Sequence, residues 1–428
     1  MSKKLMALAT LSMFTVTIAG CGDEPTPFVP PDPPGQTMAS PLDRDMNPDV
    51  DEATRAQLSA DNGEFAFALF HQIRETMGES HNTFFSPHSI SIALAMTYAG
   101  ASGQTYEQMG EVLRFRLVEE ELHPAFNALD LDLGTRGEAD VDNPPVLRVV
   151  NHNWAQEGEE FFDDFLEVLA VHYGAGLQMV DFRESPDAVR QEINGFISEM
   201  TQGRINELLG PGTVSSNTRL VLTNAIYFLA DWHFSFDESD TSTRPFFRAD
   251  GESVDVDMMR NRANYGFFVD ERTHAAVLDY AGRDLAFVAM KPANAAELDD
   301  WLEDLDAAHF HHVVSETGRE RGTVRLPRFQ IDGDYDVKGL FAAMGWTVFN
   351  ELDRMSSLML SIAEIIHKSF ILVDEEGTEA AAATGVVIVE DNDAPEPGIS
   401  MTFNRPFVYA IYDKPTETIL FLGALMDP

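Results

Sequence analysis

One stretch constrains this chain more than any other: Glu375-Glu376-Gly377-Thr378-Glu379-Ala380-Ala381-Ala382-Ala383-Thr384. Four consecutive alanines favour helix and are poor strand formers. Yet Gly377 and Gly385 fence them, and the β-prone run Val386-Val387-Ile388-Val389 follows. A helix of roughly six or seven residues is marginal in water. Such a conflict between a segment and its surroundings marks an element with two available conformations. A short surface helix or an Ala-rich linker is the plainer alternative.

Strand side chains alternate between faces. As a strand, the segment would carry Thr378, Ala380, Ala382, Thr384, Val386 and Ile388 on one face. Glu379, Ala381, Ala383, Gly385, Val387 and Val389 would lie on the other. Charge falls on one face only, so the other can be buried without an unpaired charge.

The chain has 428 residues, 44% of them hydrophobic, enough for one large core or two domains. Phe65, Leu69 and Ile73 have helical spacing, as do Ile90, Leu94 and Tyr98. The run Arg219 to Phe228 reads as a strand. Helices precede strands more often than they alternate with them, which points to an α+β fold with mixed sheets. The net charge of −42, from 71 acidic against 29 basic residues, argues against a nucleic-acid partner.

Enzyme signatures are missing from the sequence: no G-x-S-x-G elbow, no H-E-x-x-H, no P-loop. His309-x-His311-His312 has metal-ligating residue types, but Phe310 and Val313 beside it indicate a helix edge. His367, next to Ile365-Ile366, reads as a core histidine rather than a base. No cofactor or metal is expected.

The N-terminus has its own logic. Lys3 and Lys4 precede the apolar run Leu5 to Ile18, which is too short for a typical membrane span. Ile18-Ala19-Gly20-Cys21 resembles a bacterial lipobox, and Cys21 is the single cysteine. Residues 1–20 are therefore expected to be a lipoprotein signal peptide, with lipidation at Cys21 as a membrane anchor. Gly22, rather than Asp, resembles the outer-membrane sorting pattern. The expected location is the cell envelope, surface-exposed or periplasmic. An ordinary secretory signal is the alternative. Residues 21–55, with Pro25, Pro27, Pro30, Pro31, Pro33, Pro34, Pro41 and Pro48, read as an acidic tether contributing little to a core. Asp45-x-Asn47-x-Asp49-x-Asp51 lacks the Gly and Glu of a calcium loop and reads as solvated linker. The folded domain is expected over 56–428.

Eighteen residues beyond Gly385 stand Phe403-Asn404-Arg405-Pro406-Phe407, then the strand-like Val408-Tyr409-Ala410-Ile411-Tyr412 and Ile419-Leu420-Phe421-Leu422-Gly423. Upstream lie Asn82-Thr83-Phe84-Phe85-Ser86-Pro87-His88-Ser89-Ile90, Gly100-Ala101-Ser102-Gly103-Gln104-Thr105, Thr201-Gln202-Gly203-Arg204-Ile205, Leu220 to Trp232, Val256-Asp257-Met258-Met259 and Leu326-Pro327-Arg328-Phe329. In this order they resemble the serpin family over most of the chain. The resemblance implies mixed β-sheets, about nine surrounding helices and an exposed reactive-centre loop over about 375–400. It implies a monomer that inhibits a serine, or possible cysteine, protease. The loop is cut as bait, the protease is held as an acyl-enzyme, and the hinge side inserts into the main sheet as an added strand.

By the same resemblance the hinge comprises Glu375, Gly377, Thr378, Ala380 and Ala382. Counting about fourteen residues on from Gly377, or about twelve back from Phe403, gives a reactive bond between Asp391 and Asn392. The bait then reads Ile388-Val389-Glu390-Asp391. A carboxylate before the bond requires a basic pocket in the protease. Cleavage at Val389 or Ile388 by an elastase-like protease is the alternative, as is a non-inhibitory serpin acting as a binding protein. Ser86, Ser89, Asn224 and His367 match the family's polar cluster beneath the sheet opening. Trp232 matches the aromatic where the loop enters, and Glu375 with Arg328 an ion pair at its top.

Overall fold

The computed structural model describes residues 30–138, 141, 143–378 and 398–428. Two mixed sheets organise it. The first contains β1 (Gln36–Met38), β3 (Val146–Gln156), β4 (Leu177–Val180), β5 (Leu220–Asp231), β11 (Phe329–Asp336), β12 (Ile365–Val373) and β13 (Gly377–Thr378), in the order β1-β4-β3-β5-β13-β12-β11. The second contains β2 (Thr83–Phe85), β6 (Ser242–Phe247), β7 (Ser253–Val269), β8 (Thr273–Asp279), β9 (Leu285–Pro292), β10 (Gly318–Pro327), β14 (Ser400–Thr402), β15 (Phe407–Asp413) and β16 (Thr418–Leu425). Its order is β14-β10-β7-β8-β9-β15-β16-β2, with β6 on β7.

Among the described residues there are nine α-helices: α1 (Glu52–Met77), α2 (Pro87–Tyr98), α3 (Gly103–Leu113), α4 (Glu119–Gly134), α5 (Asp163–Tyr173), α6 (Pro186–Met200), α7 (Leu298–Glu303), α8 (Ala307–Ser315) and α9 (Val337–Met344). The α+β expectation, with mixed sheets and about nine helices, holds. Among the described residues, no helix is long and apolar enough to cross a membrane.

Two helices enclose the middle of the first sheet. Every residue of α2 is buried, as befits a helix apolar on nearly all sides. It packs between β5 and β16, capped by Ser86, whose hydroxyl accepts from Ser89 N–H, with Pro87 in the first turn. On the other face α6 sets Ile193, Phe196 and Ile197 over Val150, Trp154 and Val221. β5 is thus covered on both sides, which explains why its first nine residues are all buried with no alternation. β12 is covered more on one side, so Ile365, His367, Ser369, Ile371 and Val373 alternate inward.

The structure corrects the tether expectation for its second half. Gln36, Thr37 and Met38 pair antiparallel with Met179, Gln178 and Leu177, extending the sheet beyond β4. Gly35 sits at φ +88°, and a side chain there would overlap the Met179 carbonyl. Arg44 then bonds Asn127 Oδ1 at 2.8 Å and Asp130 at 2.6 Å, and the Asp45 N–H donates to Val171 O at 2.9 Å. The physical reason is the open edge of β4, whose backbone groups need partners. α1 begins at Glu52, with Asp51 as its N-cap, not at 56. Asp51 therefore caps a helix, and Asp45 receives the Asn47 N–H. Replacing Arg44 with alanine is expected to lower unfolding free energy by about 1–2 kcal/mol in urea titration. An unchanged midpoint would mean the arm contributes nothing to the folded state.

Candidate functional site

The hinge emerges at the top of the first sheet, where Asp374–Gly377 makes a tight turn. Asp374 Oδ1 accepts from the N–H groups of Glu376 and Gly377 at 3.0 and 3.1 Å. Burial pushes its carboxyl up, and those two N–H groups oppose the shift. Gly377 and Thr378 then enter the sheet between β5 and β12. Gly377 pairs with Asp231, while Thr378 pairs with Ala230 on one side and Val373 on the other. A side chain at position 377 would overlap the Ala230 carbonyl oxygen, so glycine is required by close approach rather than by a positive φ.

Thr378 is buried, and its Oγ1 lies 2.5 Å from Tyr280 Oη. Tyr280 stacks on Trp232 with ring centroids 4.7 Å apart and 7° between planes. The Trp232 indole N–H donates to Asp374 O at 2.8 Å, and its backbone N–H to Glu376 O at 2.8 Å. Glu375 is buried beside the half-exposed Arg328, which donates to Oε2, while Thr241 Oγ1 donates to Oε1 at 2.6 Å. The carboxylate holds the Arg328 guanidinium above its ordinary pKa. The structure therefore brings Glu375, Gly377, Thr378, Trp232 and Arg328 together around one opening.

Below the opening β5 and β12 pair directly and in parallel, from Leu222 with Ile365 to Ala225 with Lys368. Asn224 and His367 face each other there, and His367 Nδ1 lies 2.6 Å from Asn224 Oδ1. The Ser86 backbone N–H donates to His367 Nε2 at 3.1 Å, so Nδ1 carries the proton. Asn224 Nδ2 lies 2.6–2.7 Å from Ser89 O, Ser89 Oγ and Asn151 Oδ1, its two N–H groups shared among the three acceptors. Ser86 Oγ donates to Leu420 O at 2.7 Å. Burial holds the His367 ring neutral, its pKa down at about 3. Ser86, Ser89, Asn224 and His367 thus form one network that ties α2 across the seam between β5 and β12.

Tyr280, Asp374, Thr241 and Asn151 complete these two clusters and were not singled out from sequence. Ala380, Ala382, the bait residues Ile388, Val389 and Glu390, the bond Asp391–Asn392, and Cys21 lie outside the described residues. His309 and His311 sit on α8, where His309 Nε2 is 2.8 Å from Thr273 Oγ1.

The comparisons with known proteins agree with this geometry. The family model "Serpin (serine protease inhibitor)" matches residues 60–428. The leukocyte elastase inhibitor of Bos taurus is 35% identical over 385 residues, covering 87% of this chain and 100% of that protein. Uncleaved ovalbumin superposes with a TM-score of 0.76 at 25% identity, covering 87% of this chain and 100% of ovalbumin. The thermophilic serpin tengpin in its native state gives 0.75 at 25% identity, covering 91% and 97%. The chain belongs to the serpin family.

Proposed function

We propose that this protein is an irreversible protease inhibitor that traps its target by inserting the cleaved loop between β5 and β12. The observation that carries this reading is the position of β13. Gly377 and Thr378 occupy the seam, antiparallel to both neighbours. Continuing either ladder downward brings Ala380 beside Phe228 and Ile371, Ala382 beside Ile226 and Ser369, and Thr384 between Asn224 and His367. The two ladders lead there independently, because Asn224 and His367 already face each other. All six neighbours are buried, so the residues that arrive must be small and uncharged. Ala380, Ala382 and Thr384 meet that condition.

Insertion also has a defined local cost. Strands lie about 4.8 Å apart, so a new strand roughly doubles the β5–β12 separation and breaks the His367–Asn224 bond. Thr384 would bring a hydroxyl to the point where both partners are left open. The family also holds non-inhibitory members. Against that reading stands a hinge with no charged residue among Thr378, Ala380, Ala382 and Thr384.

The target is proposed from the bait. Asp391, or Glu390, before the scissile bond suits a protease with a basic primary pocket. Cleavage at Val389 or Ile388 is the second reading, favoured by the 35% identity to a protein named as a leukocyte elastase inhibitor. Incubating residues 30–428 with proteases of both specificities separates them. An SDS-stable adduct with a released peptide beginning at Asn392 is the expected result. A peptide beginning at Val389 or Glu390 would move the bond, and clean cleavage by every protease with no adduct would refute inhibition. The same proposal places the protein as a monomer on the cell envelope, anchored through a lipid on Cys21. Its test is loss of membrane association in Cys21→Ser.

A further inference from the structure

We propose that the cleft between the β6–β7 turn, the end of β9 and the Asn404–Pro406 segment binds a small organic anion with an apolar body. The cleft encloses about 350 Å³. Its charged lining is unusual for a chain of net charge −42 with only 29 basic residues. Arg248, Lys291 and Arg405 converge on it, opposed within the lining by Asp299.

Arg248 is answered, since its Nε lies 2.6 Å from Asp427 Oδ1. Lys291 and Arg405 are not. Lys291 Nζ donates to Thr402 O at 2.7 Å and lies 5.7 Å from the Phe403 ring. Arg405 lies over the Phe247 ring at 4.9 Å. Among the described residues neither has a carboxylate oxygen within 4.0 Å. Asp299 instead acts on Arg74 from outside the pair.

Lys291 is half-buried, and burial together with the nearby Arg405 charge disfavours its protonated form. Two mutually repelling cations, one of them partly desolvated, carry an energetic cost that an anion seated between them removes. Lys291 still has two N–H donors to offer after its bond to Thr402. Beside them the buried Pro292, Leu298 and Pro406 supply an apolar wall. The chemistry selected is therefore one phosphate or carboxylate head attached to a small apolar body.

The test is isothermal titration of the whole protein at low ionic strength, with inorganic phosphate and phenyl phosphate as probes. Phenyl phosphate is expected to bind one saturable site at least about ten-fold more tightly than inorganic phosphate. Lys291→Gln keeps a donor for Thr402 O, and Arg405→Gln alters an exposed side chain. Each is expected to weaken phenyl phosphate about ten-fold or more, with an unchanged melting temperature. Equal affinity for the two probes would overturn the apolar half of the assignment. Absence of saturation by about 10 mM, or binding indifferent to both substitutions, would overturn the site. Inhibition of proteases is not needed for either readout.

Discussion

Thr378→Arg is expected to turn the protein from an inhibitor into a substrate of its own target. Thr378 carries the first hinge side chain inside the sheet, buried between Ala230 and Val373 with its hydroxyl on Tyr280. The buried carboxylates at this opening are already engaged, Glu375 by Arg328 and Thr241 and Asp374 by the N–H groups of Glu376 and Gly377. Keeping an unpaired cation in that slot costs several kcal/mol, so the arginine stays outside and the hinge with it. In the proposed mechanism, trapping is a race between insertion and hydrolysis of the acyl-enzyme. A rise of about 3 kcal/mol in the insertion barrier shifts that race about 100-fold toward hydrolysis. The loop is cut beyond the hinge, so cleavage itself is expected at an undiminished rate. Adduct yield on denaturing gels and moles of inhibitor consumed per mole of protease measure the effect. Thr378→Ser, which keeps the small size and the hydroxyl, is expected to remain inhibitory. Undiminished trapping by Thr378→Arg would eliminate insertion at this seam as the mechanism.

The parts of the fold that were legible in the sequence are those whose burial is uniform along the segment. β5 could be recognised because both its faces are covered, leaving a mostly apolar segment with no in-and-out alternation. α1 and α2 were legible from helical spacing. The burial of Thr378 was legible too, because the small residues around it form a local pattern. The edge strand β1 was not. Three residues, Gln36 to Met38, are too few to show a period, and the surrounding prolines describe a linker equally well. Packing partners far apart in sequence were also invisible. Tyr280 reaches Thr378 across 98 positions, and Asn151 reaches Asn224 across 73. No local rule distinguishes Tyr280 from any other tyrosine at a strand end. Ser86, Ser89, Asn224 and His367 were found by resemblance, whereas their meeting at one seam is a fact of three-dimensional packing.

The second large effect is expected at that seam. His367→Leu removes the group that joins β12 to β5 and to the start of α2. It leaves the Ser86 N–H and Asn224 Oδ1 buried without their partner. Each orphaned group costs about 1–3 kcal/mol, so the closed sheet should lose about 2–6 kcal/mol. The inserted state loses less, because insertion separates His367 from Asn224 in any case. The variant is therefore expected to insert its uncleaved loop spontaneously, or to accept the loop of a second molecule. Activity would decay on incubation while oligomers appear in size-exclusion chromatography. A pH profile separates this role from loss of packing alone. In the native state His367 is neutral down to about pH 3, whereas an unfolded histidine takes up its proton near 6.5. Between those values the unfolded chain binds a proton that the native state refuses. Acid thus lowers stability by up to about 1.4 kcal/mol per pH unit for this residue. His88 and His152, both held down at about 4 by burial, act in the same direction and remain in the variant. His367→Leu should therefore be less stable at neutral pH and lose stability less steeply between about pH 6.5 and 3, by one proton. Asn224→Ala should share the loss at neutral pH but keep the wild-type slope. If the two variants show the same slope, His367 is not the neutral, buried link that holds the seam closed.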